Sequence, residues 1–214
     1  MTTLAVITWV AMGLFVLLIG RAMALYSGGT WLDATSVGHR FWTNFLCDLM
    51  QPRALDGKDN ARGARLSRAA MLSLGGALLC FWQIVPAWFP DSPVLTWVVR
   101  LAGLASSLGL GGVVAFPSQK FPQLHGVFVL AAGGVGLGAA IAATAGLLAA
   151  GPAARVPALI GLATLVVGAL DAVCFAQELV GKLNTRLRTT VLQRLATVLA
   201  LIWMLTTTVL RELG

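Results

Sequence analysis

The chain has 214 residues, 58% of them hydrophobic and 11% charged, and a mean hydropathy of +0.86. Soluble domains carry about 25% charged residues, so a water-soluble fold here would leave a large apolar surface uncovered. The net charge of +7 does not indicate nucleic acid, because the basic residues stand singly between apolar stretches instead of forming a stripe with interleaved aromatics; anionic lipid headgroups fit it better.

About 20 apolar residues cross the hydrocarbon core of a bilayer. Six stretches reach that length, predicting an all-α, polytopic helix bundle in one transmembrane domain over 1–214, with spans at 4–26, 69–89, 94–116, 124–150, 156–180 and 190–210. The first span begins with Met1-Thr2-Thr3 and so lacks a basic n-region. Its apolar run is also too long for a signal-peptide core, and it is expected to remain as a helix. The loop that follows, 27–68, opens on Ser27-Gly28-Gly29-Thr30, a turn signal. Farther along, Phe41, Trp42, Phe45, Leu46 and Leu49 recur on one helical face, while Arg40, Thr43, Asn44, Cys47 and Asp48 fall elsewhere. That pattern predicts an amphipathic helix lying in the headgroup plane and stopped by Pro52. Residues 53–68 are charged and Gly-punctuated, and read either as a cytoplasmic loop touching lipid phosphates or as a solvated charge run.

Span four contains Gly133-Gly134-Val135-Gly136-Leu137-Gly138. The run sits in mid-span with no strand before it, which argues against a dinucleotide loop. Gly134 and Gly138, four apart, are expected to let another backbone approach closely, as are Gly103, Gly109, Gly111, Gly112, Gly161 and Gly168. The same small-residue faces suit partner transmembrane helices or a second copy of the chain.

Charge then sets orientation. Ten basic residues lie in the loops after spans one, three and five (Arg40, Arg53, Lys58, Arg62, Arg65, Arg68, Lys120, Lys182, Arg186, Arg188), against Arg155 and Arg211 on the other side. The long first loop is therefore expected to face the cytoplasm and both termini the far side of a cell (inner) membrane. Twelve of the fifteen basic residues are Arg, a lean towards a GC-rich bacterial source.

Ionisable residues inside spans are costly unless paired or wetted. Asp171 lies nine residues from the loop end of span five and Arg194 within the first turns of span six. As the two spans are antiparallel neighbours, an intramembrane Asp171–Arg194 ion pair is expected, structural or functional. Glu178 follows Asp171 by two turns and has Lys182 four residues on, an interfacial pair. Arg21 can snorkel to the loop side, and Arg100 towards Asp91. His125 opens span four at the cytoplasmic interface, as an amphipathic anchor or a catalyst. The topology gathers Arg21, His39, Asn44, Asp48, His125 and Glu178 at one face, where an acid and a histidine can move protons. Neither HxxxH nor HExxH occurs, His39 and Asp48 fall on opposite flanks of the predicted helix, and Cys47, Cys80 and Cys174 have no metal spacing. No metal and no cofactor are expected. No GxSxG nucleophile elbow is present either.

Gly28-Gly29-Thr30, Asn44-Phe45-Leu46-Cys47-Asp48-Leu49, Asn60, Phe116-Pro117, Pro122 and His125 stand in an order that resembles the DUF998 and Frag1/DRAM/Sfk1 group of six-span proteins. The resemblance covers spans one to four, and Met50 replaces an expected glycine. It implies roles in lipid-anchor remodelling, phospholipid distribution or autophagy, with Asp48 and His125 as the catalytic positions. Three functions follow as expectations: binding or remodelling of a membrane lipid at the cytoplasmic face, a non-catalytic accessory or scaffold subunit, or a small-molecule or proton-coupled transporter. The last would use Asp171, although no inverted repeat or pair of broken helices is evident.

Overall fold

The structure, a computed structural model, describes residues 1–179, 181 and 186–213. Among these, six α-helices form: α1 Thr3–Leu25, α2 Ala61–Ile84, α3 Pro93–Ala115, α4 Pro122–Ala149, α5 Arg155–Leu179 and α6 Arg186–Leu213. All six are long and apolar enough to cross a membrane, and the chain is a multi-pass membrane protein. Local chemistry sets the ends. Thr2 caps α1 by accepting from the Ala5 amide at 3.3 Å. Prolines stand at the first helical position of α3 and α4, where no amide donor is needed. Pro86 closes α2 by turning it into the 3₁₀ segment Val85–Trp88.

The core has two layers along the bundle axis. One, near the termini, groups Met12, Phe81, Trp82, Phe89, Leu147 and Trp203, with the Phe81 and Trp203 rings 5.2 Å apart. The other, at the opposite end, groups Phe15, Tyr26, Met71 and Val113 with Leu46, Leu49 and Met50 of the first loop. α5 lies outermost, with 11% of its apolar window buried against 44% for α2. At the termini end the Thr2 amide donates to Glu212 at 2.7 Å, and the Trp9 indole donates to Thr208 at 2.7 Å, tying α1 to α6.

Three expectations change here. No amphipathic helix lies in the headgroup plane: the region is a series of turns ending in a 3₁₀ turn, Cys47–Met50. Its Leu46, Leu49 and Met50 point into the bundle, while Phe41 and Trp42 stay exposed. Second, 61–68 is not loop. α2 starts eight residues earlier than hydropathy predicts, because Gly63, Ala64 and Ser67 pack inward while Arg62 and Arg65 face out. Third, the glycines divide. A Cβ on Gly109 would meet the Ala132 backbone and one on Gly112 the Phe128 ring, so these two let α3 and α4 close up. A Cβ on Gly134 or Gly138 would meet nothing within 4 Å among the described residues, so neither glycine serves a close helix approach there.

Candidate functional site

Residues 26–60 fold into a cap over one end of the bundle. Its first turn depends on Gly29, whose φ of +84° and close approach to Leu55 and Asp56 exclude a side chain. The Asp56 amide donates to the Gly28 carbonyl at 3.2 Å, and the Leu55 amide to the Tyr26 hydroxyl at 3.0 Å, which folds the second half of the loop over the first. Burial pushes the Tyr26 phenol up to about 12.

Asn44 and Asp48 are the polar heart of the cap, 0% and 4% exposed. The Asn44 amide nitrogen donates to the Gly29 carbonyl at 2.9 Å, and its oxygen accepts from the Arg40 amide at 2.9 Å. Asp48 Oδ2 accepts from the Phe45 amide at 2.8 Å, and Oδ1 from the Trp31 indole at 3.1 Å. Those bonds favour the carboxylate, but burial outweighs them and raises the Asp48 carboxyl from its ordinary 3.8 to about 6. Burial likewise raises the neighbouring Cys47 thiol. Asn60 donates to the Leu49 and Gln51 carbonyls at 3.1 and 2.9 Å and so joins the cap to the start of α2.

α6 holds the cap from the other side. Arg194, 2% exposed, donates from Nε to the Phe41 carbonyl at 3.0 Å and from Nη2 to the Asn44 carbonyl at 2.8 Å. Nη2 also faces His39 Nε2 at 3.3 Å. A guanidinium only donates, so this contact requires a neutral imidazole with its proton on Nδ1. Burial and, after it, the Arg194 charge lower His39 to about 4. Gln193 Oε1 accepts from the Leu46 amide at 2.9 Å, and the Thr190 hydroxyl donates to the Trp42 carbonyl at 2.8 Å. At the outer edge Arg186 donates to Glu178 at 2.7 Å and lies 4.4 Å above the Trp31 ring. A continuous polar path thus runs from Glu178 through Arg186, Trp31, Asp48 and Asn44 to Arg194 and His39.

The Asp171–Arg194 pair is not formed. Arg194 spends its donors on two loop carbonyls, and Asp171 Oδ1 is buried without a partner. Backbone carbonyls reach the guanidinium first because the cap folds directly onto α6. Glu178 pairs with Arg186; Lys182, its expected partner, lies outside the described residues. Arg100 Nε is buried without a partner, so no Asp91 bond satisfies it, and Arg21 is exposed and apart from the network. His125 is not an exposed anchor. It is 6% exposed, and its Nδ1 donates to the Phe116 carbonyl at 2.9 Å, leaving Nε2 buried without a partner. No hydrogen bond or ion pair connects His125 to Asp48. Among the described residues no three His, Cys, Asp or Glu side chains gather as metal ligands.

Beside the cap, where it meets α2 and the α3–α4 link, opens a cavity of about 420 Å³. Gln51 and Pro52 of the cap, Arg68 of α2, and Pro117, Lys120 and Phe121 of the link are among the residues lining it, and no acidic residue is. Arg68 donates from Nε and Nη2 to the Met50 carbonyl at 3.1 and 2.9 Å, which fixes the guanidinium at the rim and leaves Nη1 unbonded. Gln51 ties cap to link, donating to the Ser118 hydroxyl at 2.9 Å and accepting from the Gln119 amide at 3.2 Å. From the sequence, Arg68 belongs to a charged stretch that either touches lipid phosphates or is merely solvated, and Lys120 counts only towards orientation. Their separation by 52 positions hid the pairing, although a lone base in a proline-flanked link was a usable signal. No family model matches this chain, and no curated protein and no solved structure matches it.

Proposed function

We propose that this protein binds a membrane lipid by its headgroup at the cytoplasmic face of a bacterial inner membrane. The observation that carries the reading is the cavity at the end of the bundle, with Arg68 and Lys120 in its wall and no carboxylate to neutralise them. About 420 Å³ falls in the range of small-ligand sites, roughly 300–1,000 Å³. Each cation near an anionic headgroup contributes about 1 kcal/mol, and the bonds that hold Arg68 to Met50 reduce the entropy lost on binding. The likeness to the DUF998 and Frag1/DRAM/Sfk1 group, whose members are linked to phospholipid distribution, points the same way.

Binding fits the geometry better than remodelling does. Asp48 uses both oxygens to order the cap, and His125 holds the Phe116 carbonyl where α3 turns into the link. Both act as framework around the cavity. The test is co-purification in mild detergent followed by lipid quantification. The wild type should retain about one phospholipid per chain, and R68Q/K120Q less than a third of that, the loss set by two cations at about 1 kcal/mol each. Retention no higher than that of an unrelated six-span protein rejects the reading. Remodelling is tested separately, in a deletion strain complemented with D48A or H125A. Failure of either variant to restore the lipid profile at normal protein levels would bring chemistry back to those residues.

One observation favours a second reading, an accessory subunit. Gly134 and Gly138 form a small-residue face on α4 where a Cβ would meet nothing among the described residues, which is the surface a partner helix uses. A stoichiometric partner lost on G134L/G138L would support it.

A further inference from the structure

Resting on that reading, we infer that the lipid is an anionic glycerophospholipid, with its phosphate between Arg68 and Lys120 and one acyl chain lying in the groove between α2 and α3. A second cavity, about 190 Å³, lies in that groove, bounded by Leu72, Gly75 and Gly76 of α2 and by Leu104, Leu108 and Gly111 of α3, among others. It begins one helical turn from the headgroup cavity. Arg68 and Leu72 are four apart on α2, and Gly111 and Ala115 four apart on α3, so each pair shares one helix face one turn apart.

Missing side chains make the groove. A Cβ on Gly76 or Gly111 would meet nothing within 4 Å, and one on Gly75 would make only ordinary contacts, with Leu110 at 3.7 Å and the Ser107 carbonyl at 3.9 Å. The hydroxyl in the wall, Ser107, donates to the Gly103 carbonyl of its own helix at 2.9 Å, so the slot offers hydrocarbon a nearly apolar lining. Its reach suits one leaflet. Arg68 to Leu79 spans eleven residues, roughly 16 Å at 1.5 Å per residue, against roughly 15 Å for half of a 30 Å hydrocarbon core.

Headgroup class follows from charge. Two cations and no carboxylate line the upper cavity, so a phosphodiester without a compensating amine is favoured over choline or ethanolamine headgroups. Gln51 and Gln119 are occupied with cap and link atoms, which leaves the phosphate as the feature read.

The protein in detergent, titrated with dioleoylphosphatidylglycerol or dioleoylphosphatidylcholine and followed by native mass spectrometry, should prefer the anionic lipid about tenfold, and R68Q/K120Q should lose that preference. A phosphatidylglycerol carrying a diazirine in one acyl chain should crosslink to residues 72–79 and 104–111, and G76L should remove those crosslinks. The crosslinking maps the wild type, so it holds even where G76L fails to fold. Anionic preference with crosslinks spread evenly round the bundle would overturn the groove and leave headgroup binding intact. Equal binding of the two lipids would overturn the anionic class. No bound phospholipid at all would overturn the reading beneath both.

Discussion

Asp48 and His39 flank Asn44 in the cap, and burial moves their titrations in opposite directions. Folded Asp48 titrates near 6 and the unfolded carboxyl near 3.8. Its contribution is therefore complete below about pH 4 and is lost as pH rises through about 6, because the fold keeps a proton that the open chain releases. Folded His39 titrates near 4 and the free imidazole near 6.5. Its contribution is present above 6.5 and is lost as pH falls to about 4. The slopes oppose one another over nearly the same interval, so cap stability in the wild type should be almost flat from pH 4 to 6.5. Single variants remove the compensation. D48N should become more stable as pH rises across that range, and H39Q less stable, by up to about 3 kcal/mol each. Amide exchange of residues 26–60, measured at pH 4, 5, 6 and 7, reads this directly; pH-independent exchange in both variants would mean that neither group is desolvated by folding. N44A tests the same centre without charge. It strips the Gly29 carbonyl and the Arg40 amide of their partner, and should cost about 2 kcal/mol of cap stability at every pH.

At the scale of elements, α6 fastens the cap through Thr190, Gln193 and Arg194, three successive contacts within its first three turns. Arg194 matters most, since its planar fork reaches the Phe41 and Asn44 carbonyls together and a lysine ammonium cannot reproduce that geometry. R194K should loosen the loop while conserving charge, and limited proteolysis within 31–43 should accelerate about tenfold, the effect of losing roughly one charged hydrogen bond. Cleavage at the wild-type rate would mean that α6 does not hold the cap. These contacts also explain what was legible beforehand. The spans were readable because hydropathy over 20 residues needs no partner to be interpreted. The cap was not. Phe41, Phe45 and Leu49 have helical spacing, yet turns place Leu46, Leu49 and Met50 against the bundle equally well, and local spacing cannot tell the two apart. The residues gathered by topology (His39, Asn44, Asp48 and Glu178) do share one network, whereas Arg21 and His125 stand outside it. The Asp171–Arg194 pair failed for a related reason. Side-chain charges are visible in a sequence, but the carbonyls of Phe41 and Asn44, which took the guanidinium, leave no signature.

For the whole molecule, every functional statement depends on which leaflet the cap faces. The cap's bonds to α6, and to Ser118 and Gln119 of the α3–α4 link, bring the C-terminal ends of α1 and α3 and the N-terminal end of α6 to one end of the bundle. The Met1 ammonium pairs with Glu212 at 3.2 Å at the other end. The ten-to-two excess of basic residues is the ground on which we propose that the cap end faces inward. Asp59 and Leu213 are exposed at opposite ends and suit single-cysteine labelling, with Cys47, Cys80 and Cys174 replaced by alanine. A membrane-impermeant maleimide should modify L213C in intact cells, and D59C only after permeabilisation. The reverse result would move the Arg68–Lys120 cavity to the outer leaflet without altering its shape. The groove would then draw its lipid from a different pool, and a cytoplasmic supply would be excluded even where phosphatidylglycerol still binds.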